Sequence, residues 1–108
     1  MMDLGTRLYC LGVTPNYKSY HMTAAAVGLA EENPENLRLV TKVLYPMVAK
    51  QYKTTWQAVE RNIRSAAERA WSVGADKFEE LTGQRLEKKP TASQFVAILA
   101  ACDAADGT

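Results

Sequence analysis

Residues 41–71 read TKVLYPMVAKQYKTTWQAVERNIRSAAERAW, and this stretch limits the available folds more than any other part of the chain. In its second half Val59, Ile63, Ala66, Ala67 and Ala70 recur at spacings of 4, 3, 1 and 3, the pattern of one buried helical face. Gln57, Glu60, Arg61, Arg64, Ser65 and Glu68 fall on the opposite side. The preceding residues 37–52 place Leu37, Val40, Leu44, Val48 and Tyr52 close to the same 3.6 period. Only KTT separates the two patterns. Helices joined this tightly must cross and pack on each other, either as a plain helical hairpin with a solvated face or as a helix-turn-helix. In the second case Ala49 is the small residue at the crossing, with Val48 and Tyr52 as core contacts, and Gln51, Tyr52, Lys53 and Thr54 form the turn. Many such turns carry glycine. Lys53 in its place demands a different turn geometry or a strained residue.

The remainder is punctuated as helices too. Residues 3–11 carry Leu4, Leu8 and Leu11 at helical spacing with Gly12 as a stop, and Thr14-Pro15-Asn16 marks a turn. Residues 17–32 present Tyr20, Ala24, Val27 and Ala30 before Pro34 ends the pattern. Pro46 lies inside the 37–52 pattern, so that helix is expected to restart near Val43 or Leu44. Thr54 followed by Gln57 has capping-box spacing and opens a helix running to about Ser72, stopped by Gly74. Asp76 and Glu79 suggest another start, with Phe78 and Leu81 leading to Gly83. QRLEKKP is a polar connector. Thr91 followed by Gln94 opens a last helix whose Phe95, Ile98, Leu99 and Cys102 make an apolar stripe, and DAADGT is a frayed tail. The expectation is an all-α fold: one domain over residues 1–108, about six helices, with the helix-turn-helix at about 43–71.

At 108 residues and 47% hydrophobic content the chain has material for one core. No apolar run approaches the roughly 20 residues that span a bilayer, and no basic segment leads into an apolar signal region, so a cytoplasmic protein without membrane contact is expected. Cys10 and Cys102 are then expected as buried thiols rather than a disulfide. His21, the one histidine, has no carboxylate or cysteine near it in sequence and reads as a surface or interface residue. There is no phosphate-binding glycine loop and no Cys/His metal spacing, and Glu79 and Glu80 point apart on a helix. The chain is therefore not expected to be an enzyme, nor to hold a metal or cofactor.

Net charge is +1, but its distribution is uneven. Residues 37–71 hold seven basic and two acidic side chains, a net of +5, whereas 1–36 and 72–108 each carry −2. A concentrated positive segment is the footprint of a polyanion-binding face. Arginine makes a bidentate pair with guanine O6 and N7, and glutamate accepts from cytosine N4, each good pair discriminating by about 1–3 kcal/mol. Against this stands the plain alternative that Glu60 and Arg64 form only a surface i,i+4 ion pair of about 0.3–0.5 kcal/mol. Lys42, Lys50 and Lys53 suit phosphate contacts, which position a domain without reading sequence. Trp56 at the helix start is placed to touch a sugar-phosphate or thymine methyl, while Trp71 belongs to the core.

Taken together, TKVLYP, AVERNIR and the closing tryptophan resemble the C-terminal DNA-binding effector domain of the sporulation master response regulator of endospore-forming bacteria. LGVTPNYKSYHMTAAAVGLA is similar to that domain's first two helices, and KKPTASQFVAILA to its last, so the resemblance covers about residues 8–99. It implies a six-helix domain of the winged-helix-like, response-regulator effector class, with the helix-turn-helix formed by its third and fourth helices. It further implies transcription regulation in sporulation through double-stranded DNA, the recognition helix in the major groove of a TGTCGAA-type box, and domains in tandem or as a homodimer. Carried over by position, Glu60, Arg61 and Arg64 contact bases. Lys42, Lys50, Thr54, Thr55, Ser65 and Lys89 contact phosphates, and Trp56 and Gln57 are further DNA-contacting candidates. Trp56, Gln57 and Ser65 depart from the family's pattern. No receiver domain is expected within residues 1–108, so control by aspartyl phosphorylation is not carried over. The alternative function is a protein-interaction module that has lost specific DNA binding and pairs with a full-length relative through its last helix.

Overall fold

The ends of the helices are set by local chemistry that the chain spells out residue by residue. The computed structural model describes residues 2–106, and every regular element among them is helical. Helix α1 (Leu4–Cys10) begins at Asp3, whose carboxylate accepts the Thr6 N–H at 2.7 Å. That bond holds the Asp3 carboxyl below the ordinary aspartate value. The helix closes as a Schellman turn. The Val13 N–H donates to the Leu8 carbonyl at 2.8 Å and the Gly12 N–H to that of Tyr9 at 3.0 Å, with Gly12 at φ 87° where an L-residue would be strained. Arg7 is not a solvated charge: it is buried, and its Nε donates to the Leu81 carbonyl at 2.7 Å, tying α1 to the end of a distant helix.

Helix α2 (Lys18–Glu32) packs against both later long helices and buries Ser19, Met22, Thr23, Ala26, Val27 and Ala30. The face is rotated from the expected one, and Tyr20 and Ala24 are only half-buried. With neighbours on two sides, α2 hides a wide surface that includes small polar residues, which apolar periodicity does not register.

The 37–52 pattern, expected to restart near Val43 or Leu44, is divided in three and restarts as a regular helix at Tyr45. A 3-10 turn (Pro34–Leu37) is followed by a π-turn (Val40–Leu44) and then α3 (Tyr45–Tyr52). Pro46 is the cause, because it has no N–H and its ring clashes with the carbonyl four residues earlier in a regular helix. The widened turn absorbs this: the Leu44 N–H reaches the Leu39 carbonyl at 3.3 Å, the Tyr45 N–H reaches that of Val40, and Pro46 lands in the first turn of α3.

Helix α4 (Trp56–Trp71) is capped by Thr55, whose Oγ1 accepts the Ala58 N–H at 3.1 Å. The start is one residue later than the Thr54–Gln57 spacing suggests. Thr54 is already committed to the previous helix, its N–H donating to the Ala49 carbonyl at 2.9 Å. Helix α5 (Ala75–Thr82) begins after Gly74 rather than at Asp76 and ends at Gly83, and α6 (Ala92–Asp106) follows the connector. The Thr91 box is complete. The Gln94 N–H donates to Thr91 Oγ1 at 3.2 Å, and the Thr91 N–H to Gln94 Oε1 at 2.9 Å. Asp103 to Asp106 continue the helix rather than fray, while Gly107 and Thr108 lie outside the described residues.

The core gathers Leu8, Leu11, Val13, Leu44, Val48, Val59, Ile63, Phe78, Phe95 and Leu99, with Trp71 edge-on to Phe78 at 5.4 Å between ring centres. The radius of gyration, 12.6 Å, is close to the roughly 13 Å expected of one folded domain of this length. The thiols differ from expectation. Cys10, last residue of the two-turn α1, is exposed, and Cys102 is half-buried with its Sγ–H donating to the Thr82 carbonyl at 2.7 Å. His21 is exposed, its Nε2 2.8 Å from the Pro15 carbonyl. No helix among the described residues is long and apolar enough to cross a membrane.

Candidate nucleic-acid interface

The turn between α3 and α4 resolves the question raised by Lys53. Lys53 adopts the left-handed conformation, φ 54° and ψ 49°, and is the only non-glycine residue with positive φ among the described residues. Its N–H approaches the Lys50 carbonyl at 3.4 Å and the Thr54 N–H bonds that of Ala49, the same closure that Gly12 makes after α1. The turn keeps the glycine-type geometry and carries a strained lysine in it.

Below the turn, α4 divides by burial. Val59, Ile63, Ala66, Ala67 and Ala70 are fully buried, and hiding Val59 and Ile63 contributes roughly 1.5–3 kcal/mol each. Val48 and Ala49 on α3 are buried as well, which permits the close crossing. Tyr52 is not the expected core contact. It is 39% exposed, because α3 ends there and the chain turns away. On the outer side Gln57, Arg61, Arg64, Ser65 and Glu68 are exposed and Glu60 is half-buried at the rim. Trp56, in the first turn of α4, is 37% exposed, and Trp71 is half-buried against Phe78.

The cations fall into two groups. Arg64 pairs with Glu60 (Nη1 to Oε1, 3.6 Å), and Lys89 with Glu68 (Nζ to Oε2, 2.8 Å). The bond to Lys89 and its charge hold the Glu68 carboxyl below the ordinary glutamate value. Arg69 is spent on the fold, its guanidinium 4.0 Å above the Tyr17 ring. Arg61, Lys42, Lys50 and Lys53 are exposed and carry no ion pair among the described residues. Thr54 and Thr55 are exposed at the start of α4. The Thr55 hydroxyl accepts from the helix and keeps its proton to donate outward.

Three of the candidate residues, Glu60, Arg64 and Lys89, line a single cleft of about 390 Å³ between α4, the π-turn and the start of α6. Thr41, Tyr45, Thr91 and Ser93 complete its polar lining. Tyr45 is 1% exposed, and burial, with Glu60's charge second, pushes its hydroxyl up to about 12. Sequence reasoning missed Thr41, Tyr45 and Ser93 as members of this region. The Thr91–Gln94 box marked a helix start at this place, but which surface that start would face is a tertiary matter. Lys42 and Lys50 stand apart on the π-turn and α3, with no hydrogen bond or ion pair to α4 among the described residues. No cluster of three or more potential metal ligands occurs among the described residues.

The family profile described as sporulation initiation factor Spo0A C terminal matches residues 6–102, nearly the whole chain. It denotes a DNA-binding effector domain of a transcription regulator, not a family of enzymes. The all-helical single domain is consistent with the helical DNA-binding fold of the profile's family. The chain belongs to the Spo0A C-terminal family, the DNA-binding effector domains of sporulation regulators.

Proposed function

We propose that the chain is a sequence-specific transcription regulator that inserts α4 into the major groove of a TGTCGAA-type box, in tandem or as a homodimer on adjacent boxes. The observation that carries this reading is the division of α4: its apolar side is wholly consumed by the core, while Arg61, Arg64 and Gln57 face outward, and Lys42, Lys50 and Lys53 on the preceding elements are exposed with no ion pair among the described residues. In this reading Glu60, Arg61 and Arg64 read base edges. Lys42, Lys50, Thr54, Thr55, Ser65 and Lys89 hold phosphates and set the register, and Trp56 and Gln57 lie against the same strand. The α3–α4 pair, within residues 43–71, is the helix-turn-helix. The interaction-module alternative draws less support, since α6 spends Phe95, Val96 and Leu99 on the core and leaves mainly alanines at its surface.

A mobility-shift titration at graded salt against box-containing and scrambled duplexes tests the reading. The box should bind more tightly, with log K falling about 0.9 per phosphate contact for each decade of salt. Arg61→Ala or Arg64→Ala should each narrow the gap between the two duplexes by about 1–3 kcal/mol. Equal affinity of the wild type for both duplexes would sink specific recognition. A preserved gap in both variants would sink the residue roles.

A further inference from the structure

We propose that the cleft between α4 and the start of α6 is an oxyanion site for a phosphate group. Its donors are the Tyr45 and Ser93 hydroxyls and the first N–H groups of α6, and its cation is Lys89. The first four N–H groups of a helix lack intrahelical acceptors. At α6 the Thr91 box occupies those of Thr91 and Gln94, which leaves Ala92 and Ser93, both lining the cleft. Their dipoles open a 15-residue helix, the longer kind that attracts an anion at its start. Tyr45 reaches the same cleft from the other side. It is 1% exposed, and its hydroxyl has no hydrogen-bond partner among the described residues. The hydroxyl opens onto the cleft, where it can donate to a ligand that brings an acceptor. Donors thus converge from α3 and α6, with a cation from the connector. An oxyanion with several acceptor oxygens suits this spread better than a planar carboxylate.

Glu60 lines the cleft too and opposes an anion, although Arg64 lies 3.6 Å from it and Lys89 is shared with Glu68. This opposition makes the site testable by sign. The phosphate has two sources, the backbone of a bound duplex or a free phosphate, and the site does not depend on α4 reading bases.

The experiment is a heteronuclear NMR titration of the intact chain with inorganic phosphate at constant ionic strength, followed at the Ala92 and Ser93 amides. Saturable shifts are expected. Tyr45→Phe should weaken them about tenfold, the effect of one hydrogen bond to a charged group, and Glu60→Gln should strengthen them. Ser93→Ala replaces Tyr45→Phe if the latter fails to fold. Shifts that never saturate, or that are unchanged in these variants, overturn the site. A scan of single methylphosphonates through a box duplex then separates the sources. A position that weakens the wild type but not Ser93→Ala assigns the site to the DNA backbone. No such position, with inorganic phosphate still bound, assigns it to a free phosphate. Phosphate binding in a chain that fails to discriminate the box overturns the base-reading proposal and leaves the cleft standing.

Discussion

Replacing Lys53 by glycine should make the protein more stable and a weaker DNA binder at once. In the left-handed region an L-residue costs roughly 1–2 kcal/mol, because Cβ crowds the following carbonyl. Lys53 sits there at φ 54° with no ion pair among the described residues to offset the strain. Glycine relieves it but gives the unfolded chain more freedom, worth about 0.5–1 kcal/mol in the opposite direction. The net gain is about 0.5–1 kcal/mol, a rise in Tm of roughly 2–4 °C for a domain of this size. In DNA binding the loss of one exposed cation should reduce the salt slope by about 0.9. Lys53→Ala separates the two effects, since it removes the charge but keeps Cβ: binding should fall as in the glycine variant, without the gain in Tm. Calorimetric melts and salt-dependent anisotropy titrations of the three proteins supply both readings. A glycine variant that melts at or below the wild-type temperature would refute the strain argument, because no side-chain hydrogen bond or ion pair of Lys53 among the described residues accounts for such a loss.

Three other outcomes follow from the same kind of reasoning. Thr55→Ala should cost about 1 kcal/mol by removing the cap on Ala58, whereas Thr54→Ala should leave Tm nearly unchanged; the reverse order in thermal melts would overturn the register of α4. Arg7→Met should destabilise by about 1–3 kcal/mol in urea unfolding, because the Leu81 carbonyl loses its buried donor. Glu31 is pushed up to about 7, first by the partial desolvation of its carboxyl and then by its hydrogen bond to Asp103 and that group's charge. The folded state thus keeps a proton that the unfolded chain releases at lower pH, so stability is highest below the ordinary glutamate range and falls as pH rises toward 7. Exposure of Glu31 keeps the effect small. Glu31→Gln should flatten that fall in urea melts compared at about pH 5 and about pH 8, and an unchanged slope would rule out Glu31 as its source.

Several features were legible in the order of residues because their causes are local. The buried stripe of α4 follows from helical period alone, and Val59, Ile63, Ala66, Ala67 and Ala70 are buried together. The Gly12 and Gly83 stops and the Thr91 box answer to backbone groups within a few residues, so they need no knowledge of the rest of the fold. Lys53 was visible as an anomaly for the same reason.

Other features needed three dimensions. Thr54 and Thr55 are alike to the eye, and only the closing turn of α3 takes the first and leaves the second as cap. The π-turn before Pro46 combines a local clash with the demand that Leu44 and Tyr45 stay buried. The burial of Arg7 cannot be read from its neighbours in the chain, because its acceptor, the Leu81 carbonyl, lies 74 residues away. The cleft that joins Glu60 and Arg64 to Lys89, Tyr45 and Ser93 draws on four separate segments. By itself, then, the sequence determined where helices form, the Thr91 cap, the Gly12 and Gly83 stops and the polarity of α4, since hydrogen bonds and side-chain period act over three or four residues. The tertiary structure alone decided which charges are spent on partners and which face outward, because that depends on segments far apart in the chain meeting at one surface.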